Sequence, residues 1–216
     1  MGDLKVTYPG EQVDVTWDGR LCIHVGECGR ADGELFQGGR KPWCAPDVTE
    51  ADDVIDVCKR CPTGALSWQR ADGTGAETAP AENRVVVANN GPLYLTGELQ
   101  VAGAADDMEG VPFRAALCRC GLSKNKPFCD NSHERVGFID RGAIGDRGPG
   151  TEATGGPLVV GKVPNGPLLL RGNVTLVTGA GRVAWTGTKC ALCRCGQSAN
   201  KPFCDGSHKA AGFQAD

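Results

Sequence analysis

Apolar and polar positions alternate through LKVTY and QVDVTW, on either side of a PGE turn, which predicts two short strands joined as a hairpin near the start of the chain. The period then changes. Val54, Val57, Cys58 and Cys61 fall at helical spacing on one face, behind Thr49 and Asp52, a pair spaced like a capping box. Pro62 disfavours helical geometry in its predecessor, so the helix should stop at Cys61, and Gly64 permits a reversed turn beyond it. From Ala71 to Asn83, ADGTGAETAPAEN is small, polar and without period, the composition of a linker. Beyond it, RVVVANNGPLYLTGELQVAG and PLVVGKVPNGPLLLRGNVTLVTG each carry β-rich runs around an NGP turn.

Those two runs belong to a duplication. NGPLYLTG at Asn90 and NGPLLLRG at Asn165 are 75 residues apart, and the same offset separates CRCGLSKNKPFCDNSH at Cys118 from CRCGQSANKPFCDGSH at Cys193. It persists from Phe138 to Phe213. The expected organisation is therefore an N-terminal domain over residues 1–70, a linker over 71–83, a first repeat over 84–145, a Gly-rich connection over 146–156 and a second repeat over 157–216.

Composition adds a reason for metal. With 32 Gly, 13 Pro and 6% aromatic residues in 216, units of this size have little with which to fill a core, and a bound metal group can supply what packing does not. A net charge of −3 with acids and bases interspersed gives no basic stripe, so no nucleic-acid role is expected. No apolar run is long enough to span a membrane, and the opening residues have charges and Pro where an export signal needs an apolar stretch, so a cytoplasmic protein is expected. Twelve cysteines could form a disulfide framework, but that gives no reason for His133 and His208, two of only three histidines, to recur at one repeat position. Metal ligation explains both.

The spacing has a direct physical reading. Cys118 and Cys120 are two apart in an extended segment and project to the same side, where two thiolates can grip one iron. Cys129 and His133 are four apart, with Asp130 placed to cap a helical turn, so thiolate and imidazole would share one face and address a second iron. A helix start there would also point N–H groups at an anionic group. Cys193, Cys195, Cys204 and His208 repeat the arrangement. Gly121 and Gly196 would let the backbone bend around inorganic sulfur, and Pro127 and Pro202 would stiffen the approach to the third cysteine.

Both copies resemble the CDGSH iron-sulfur domain family, typified by mitoNEET, whose pattern is C-x-C-x2-[ST]-x3-P-x-C-D-G-[STA]-H. The second copy matches throughout; in the first, Asn131 replaces Gly, and Asn tolerates the left-handed conformation best after Gly. The resemblance implies a 2Fe-2S cluster held by three Cys and one His in each copy, and a fold in which two cluster-bearing units pair and exchange strands in a β cap. In one chain the two repeats would form that pair internally, about a pseudo-two-fold axis. A zinc site with the same four ligands is the bland alternative, although zinc sites space their first pair more widely than C-x-C.

At the N-terminus, Cys22-x5-Cys28 with a remote Cys61-Pro62 resembles divergent single-cluster ferredoxins, with Val25 where the middle cysteine usually stands. That implies a 3Fe-4S cluster on Cys22, Cys28 and Cys61, or a 4Fe-4S cluster if Cys44, Cys58 or His24 supplies a fourth ligand. Helical spacing favours a core role for Cys58, and Cys190, opposite Ala115 in the first copy, reads as a structural thiol. The fold class expected is thus α+β and β-rich, with tandem CDGSH repeats and a small ferredoxin-like domain.

Replacing one thiolate by neutral imidazole makes a 2Fe-2S centre less negative, so its potential should lie above that of all-cysteine ferredoxins. Imidazole titrates near neutrality, so reduction and protonation can couple. With no histidine beyond His24 outside the repeats, no nucleophile-and-base constellation is available, and an enzyme is not expected. The expectation is a monomeric one-electron carrier that meets redox partner proteins. The alternative is a cluster carrier, delivering to apo iron-sulfur acceptors, or a redox and pH sensor.

Overall fold

The computed structural model describes residues 4–215; residues 1–3 and 216, the outer ends of the first and last expected domains, lie outside the described residues. The hairpin forms as expected: β1 (Lys5–Tyr8) runs antiparallel to β2 (Val13–Asp18), with Lys5 opposite Asp18. A third strand, β3 (Leu66–Arg70), adds to the other edge of β2, with Val13 opposite Arg70. Helix α1 (Ala51–Arg60) buries Val54, Ile55, Val57 and Cys58 against Val13, Val15 and Leu66, which together make the core of this unit.

The helix ends at Cys61, whose N–H bonds back to Cys58 O at 3.2 Å. Its start differs from expectation. Glu50 takes the cap position without a side-chain bond, and Thr49, one residue further out in extended geometry, reaches only Asp53 Oδ2 at 3.2 Å. The Thr49/Asp52 box is therefore not formed, and Asp52 and Asp53 in the first turn complement the helix dipole instead.

The repeats build β4 (Arg84–Val87), β5 (Leu93–Thr96), β6 (Glu98–Val101), β7 (Arg114–Leu117), α2 (Ser132–Arg135), β8 (Pro157–Lys162), β9 (Leu168–Val177), β10 (Val183–Leu192) and α3 (Ser207–Ala210). All seven strands join one sheet in the order β6-β8-β9-β4-β5-β7, with β10 also on β9. Within each copy the first strand pairs antiparallel with the next, Arg84 with Thr96 and Val159 with Arg171. Each also pairs parallel with the other copy: Arg84 lies opposite Thr175, and Val159 opposite Gln100. These two cross-copy contacts are the same contact displaced by the 75-residue offset. The fold is α+β and β-rich, and no helix among the described residues is long and apolar enough to cross a membrane.

Asn83 fastens this junction. Fully buried, its amide donates to Gly156 O at 2.8 Å and Asn173 O at 2.9 Å while its oxygen accepts from Glu98 N at 3.0 Å. Asn83→Ala leaves these three backbone groups unpartnered; at about 1 kcal/mol or more for each, a loss of about 3 kcal/mol is expected, measurable as a shift in denaturant midpoint at unchanged slope.

The copies diverge where β10 forms a long hairpin with β9 but β7 is short. In the first copy residues 102–113 leave the sheet and meet the N-terminal unit. Arg20 reaches Asp107 Oδ1 at 3.0 Å, Lys5 reaches Asp107 O at 2.8 Å, and Ser67 donates to Glu109 Oε2 at 3.1 Å. Gly64 is needed there: at φ 73°, a Cβ would stand 2.4 Å from Arg114 O. Arg114 bonds Leu66 O at 3.1 Å and pairs with Glu77, so the expected linker, though without regular structure, is anchored at its middle.

Candidate metal centres

Each repeat brings its four predicted ligands together in the same way. β7 runs into Cys118; Cys118 N bonds Pro127 O at 2.8 Å and Cys129 N bonds Ala116 O at 2.9 Å, which folds the third cysteine back beside the first two. The Sγ atoms of Cys118 and Cys120 are 3.9 Å apart, and Cys129 Sγ is 3.4 Å from His133 Nδ1. In the second copy the corresponding distances are 3.5 Å for Cys193 and Cys195 and 3.5 Å for Cys204 and His208. The donors come as a thiol pair and a thiol–imidazole pair. Among the described residues no group of three such side chains closes on a single point.

The turn before the histidine is held by Asp130 and Asp205, though not as helix caps. The cap positions are Asn131 at φ 64° and Gly206 at φ 89°, both left-handed, and the preceding carboxylates accept from Ser132 N and Ser207 N at 3.0 Å each. The other oxygen of each carboxylate accepts from Lys124 N or Ala199 N. The Ser207 hydroxyl and amide hold Asp205 well below the ordinary carboxylate range. Because the folded value is depressed, this support is present above the ordinary carboxylate pKa and is lost as pH falls through the depressed one. The helices that follow have only four residues each, so the turn itself, rather than a helix dipole, orients the histidines.

Gly121 and Gly196 bend the backbone as expected, and they also meet the opposite ligand loop. Both have positive φ, and a Cβ on Gly121 would stand 2.5 Å from Cys195 O, as one on Gly196 would from Cys120 O. They let the two ligand loops cross backbone to backbone.

A further pair of residues escaped notice in the sequence: Arg119 and Arg194, between the paired cysteines and each only 1% exposed. Arg119 donates to Gly91 O at 3.0 Å and Ala88 O at 2.5 Å, pairs with Asp140 and lies 5.0 Å from the Phe138 ring. Arg194 donates to Gly166 O and Val163 O at 2.7 Å each and lies 5.5 Å from Phe213. They tie the NGP turns over the sites, and the positive charge of Arg119 is felt at His133. The signal was present, since both copies read CRC, but an Arg between ligands reads as exposed.

The first site is the more enclosed. Cys129 and His133 are buried, whereas Cys204 and His208 are partly exposed. Cys120 is held down to about 6 by the hydrogen bond from the Cys118 thiol, which is itself raised by that bond and by burial. Burial pushes Cys129 up to about 11 and lowers His133, so both favour the neutral forms in the absence of a cation.

The third site is a cavity of about 440 Å³ in the N-terminal unit. Cys22, Cys28 and Cys61 all line it, together with His24, Val25 and Trp43. Cys44 and Cys58 do not: both are fully buried in the core around α1, and burial raises both thiols, Cys44 to about 12. Cys190 lies in the core of the large sheet, where burial pushes it up to about 12. The mutual repulsion of Cys28 with Cys61 and Cys22 adds to the burial that raises Cys28, a set of neighbours suited to a shared cationic group. The donor chemistry fits iron at all three places.

Residues 90–134 and 165–209 match the family described as "Iron-binding zinc finger CDGSH type", and residues 8–71 match that described as "Divergent 4Fe-4S mono-cluster". The N-terminal region is 42% identical over 62 residues to uncharacterized protein YjdI of Escherichia coli strain K12, covering 29% of this chain and 82% of that one, and equally to the YjdI protein of strain O157:H7. No solved structure matches the chain. The chain is an iron-sulfur protein of the CDGSH type, with two such domains in tandem behind a divergent 4Fe-4S mono-cluster domain.

Proposed function

We propose that this protein is a one-electron carrier with two 2Fe-2S sites of three cysteines and one histidine, Cys118, Cys120, Cys129 and His133 in one and Cys193, Cys195, Cys204 and His208 in the other, and a third site in the N-terminal cavity. The observation that carries this is the pairing of donors. A single four-coordinate zinc wants all four around one point, whereas donors that come as a thiol pair and a thiol–imidazole pair suit a group with two irons. Backbone N–H groups directed at sulfur, Asn131 N to Cys129 Sγ at 3.5 Å and Gln197 N to Cys195 Sγ at 3.4 Å, suit thiolates that carry cluster charge.

Reciprocal strand pairing and the Gly121/Gly196 crossing support an internal pseudo-two-fold pair with a β cap, and hence a monomer. With Cys44 and Cys58 outside the cavity lining, three thiolates remain for the N-terminal group, which favours 3Fe-4S; a 4Fe-4S group would draw on His24, which also lines the cavity. When bound, these clusters supply reversible one-electron redox chemistry. The chain contributes ligands, buried arginines that brace the turns over the sites, and apolar cover against water. We read it as a carrier meeting redox partner proteins, not an enzyme. Free thiols at all twelve cysteines suit a reducing cytoplasm.

The partial exposure of Cys204 and His208 favours a second reading, cluster delivery from the second site or sensing there. Anaerobic purification with iron, sulfide and zinc analysis and paramagnetic resonance tests the first reading: three spectroscopically distinct clusters without zinc are expected, and stoichiometric zinc at the repeats would overturn it. Incubation with an apo-ferredoxin separates the two. Sluggish transfer with fast reversible reduction is the carrier's result, and efficient transfer is the donor's.

A further inference from the structure

Besides the 102–113 segment, the two repeats differ at two single positions that face the thiol loop of the N-terminal unit. Asn131 stands where the second copy has Gly206, and Tyr94 where it has Leu169. Neither difference is needed by the repeat itself, since the second copy builds the same site without them. Asn131 donates its side-chain amide to Ile23 O at 2.6 Å. Ile23 is the residue after Cys22, and its buried side chain packs on Cys129 and Ala116, with Tyr94 against the same group. Cys22 and Cys61 themselves pack against the core of the large sheet. The half-buried Tyr94 is influenced by both Cys129 and Cys61: burial first, then these two thiols, push its hydroxyl up to about 12.

One continuous bonded route results. Cys129 Sγ accepts from Asn131 N at 3.5 Å, the Asn131 amide reaches Ile23 O, and Ile23 is covalently joined to Cys22. Such a route carries electronic coupling better than a gap, and Tyr94 fills the space beside it with an aromatic ring. Nothing comparable leads from Gly206.

We propose that Asn131 and Tyr94 are positioning residues that lock the N-terminal thiol loop onto the first repeat, making the N-terminal site and the first CDGSH site an internal electron relay, with the second site outside that link. The inference rests on the electron-carrier reading above. In the step, one electron leaves the N-terminal site, which is oxidised by one equivalent, and enters the first CDGSH site, which is reduced by one. No bond is made or broken. The electron reaches the N-terminal site from an external low-potential one-electron donor.

The test uses the full-length, cluster-loaded protein with Asn131→Gly, which keeps the left-handed backbone and removes only the amide, and Gly206→Asn as the control in the other copy. With substoichiometric dithionite and freeze-quench paramagnetic resonance, wild type should pass its electron from the N-terminal signal to the first CDGSH signal before the second. Asn131→Gly should slow that transfer severalfold, and Gly206→Asn should not. A readout independent of redox accompanies it: amide exchange over residues 21–28 should rise about fivefold in Asn131→Gly, the shift in population expected from losing one net hydrogen bond.

Faster amide exchange with an unchanged transfer rate would show a structural clasp only and overturn the relay, as would a wild type that reduces both CDGSH sites at equal rates. Should Asn131→Gly lose its N-terminal iron, Tyr94→Leu, the residue type found in the second copy, decides on the same readouts. If no site in wild type passes an electron to any acceptor, the carrier reading fails and the relay with it, a result distinct from reduction without the expected order.

Discussion

Cys61→Ser should remove iron and sulfide equal to one cluster and leave the two CDGSH signals in place. Cys61 closes α1 and its side chain lines the N-terminal cavity, while the repeat ligands stand on separate loops. Serine preserves the size of the side chain and the end of the helix, so what is lost is the thiolate. Metal ligation can supply on the order of 10 kcal/mol of folding free energy in a small unit, and here the unit also has its own core of Val13, Val15, Val54 and Leu66. The expected result is therefore a folded N-terminal unit that melts earlier than in the wild type, followed by the sheet. Iron and sulfide contents unchanged from wild type would show that no cluster is held there.

The second large effect is expected at the histidines. His133→Cys or His208→Cys replaces a neutral imidazole by a thiolate and adds one negative charge to the altered site. Its midpoint should fall by on the order of 100 mV, in the direction that separates histidine-ligated centres from all-cysteine ones. Loss of the cluster in acid should also slow at the altered site. Each variant should leave the other repeat unchanged, which makes each an internal control. The contrast in enclosure adds a finer expectation: in wild type the partly exposed His208 site should bleach in acid before the buried His133 site. Potentials unmoved in both variants would overturn imidazole ligation.

Much of the candidate site could be read from the chain because metal ligands are set by local geometry. C-x-C in an extended segment and Cys-x3-His around a turn need no long-range information, and the repeat offset made coincidence untenable. The hairpin and the end of α1 at Cys61 were legible for the same reason. Most of what failed depended on contacts made far along the chain. Strand β3, LSWQR, has only two apolar residues in its short span and becomes a strand because β2 offers it an edge. Arg119 and Arg194 are polar by type and buried by circumstance; carbonyls in and beside the NGP turns, with Asp140 for Arg119, receive their guanidinium groups. The capping box was misplaced by a single residue, enough for Thr49 to miss its amide and find Asp53. Gly121 and Gly196 were rightly marked as special, but their close approach to the partner loop was not visible in the sequence.

A homodimer is bound by symmetry to change both of its halves at once: any residue that suits one neighbour is imposed on the opposite face too. Writing the two copies consecutively in one gene removes that constraint. Here it has let one copy take Tyr94, Asn131 and the residue 102–113 loop, all turned towards a neighbour encoded upstream, while the other keeps Leu169, Gly206 and a long hairpin. The two motifs thus sit in different surroundings, one against the N-terminal unit and the other beside a long hairpin.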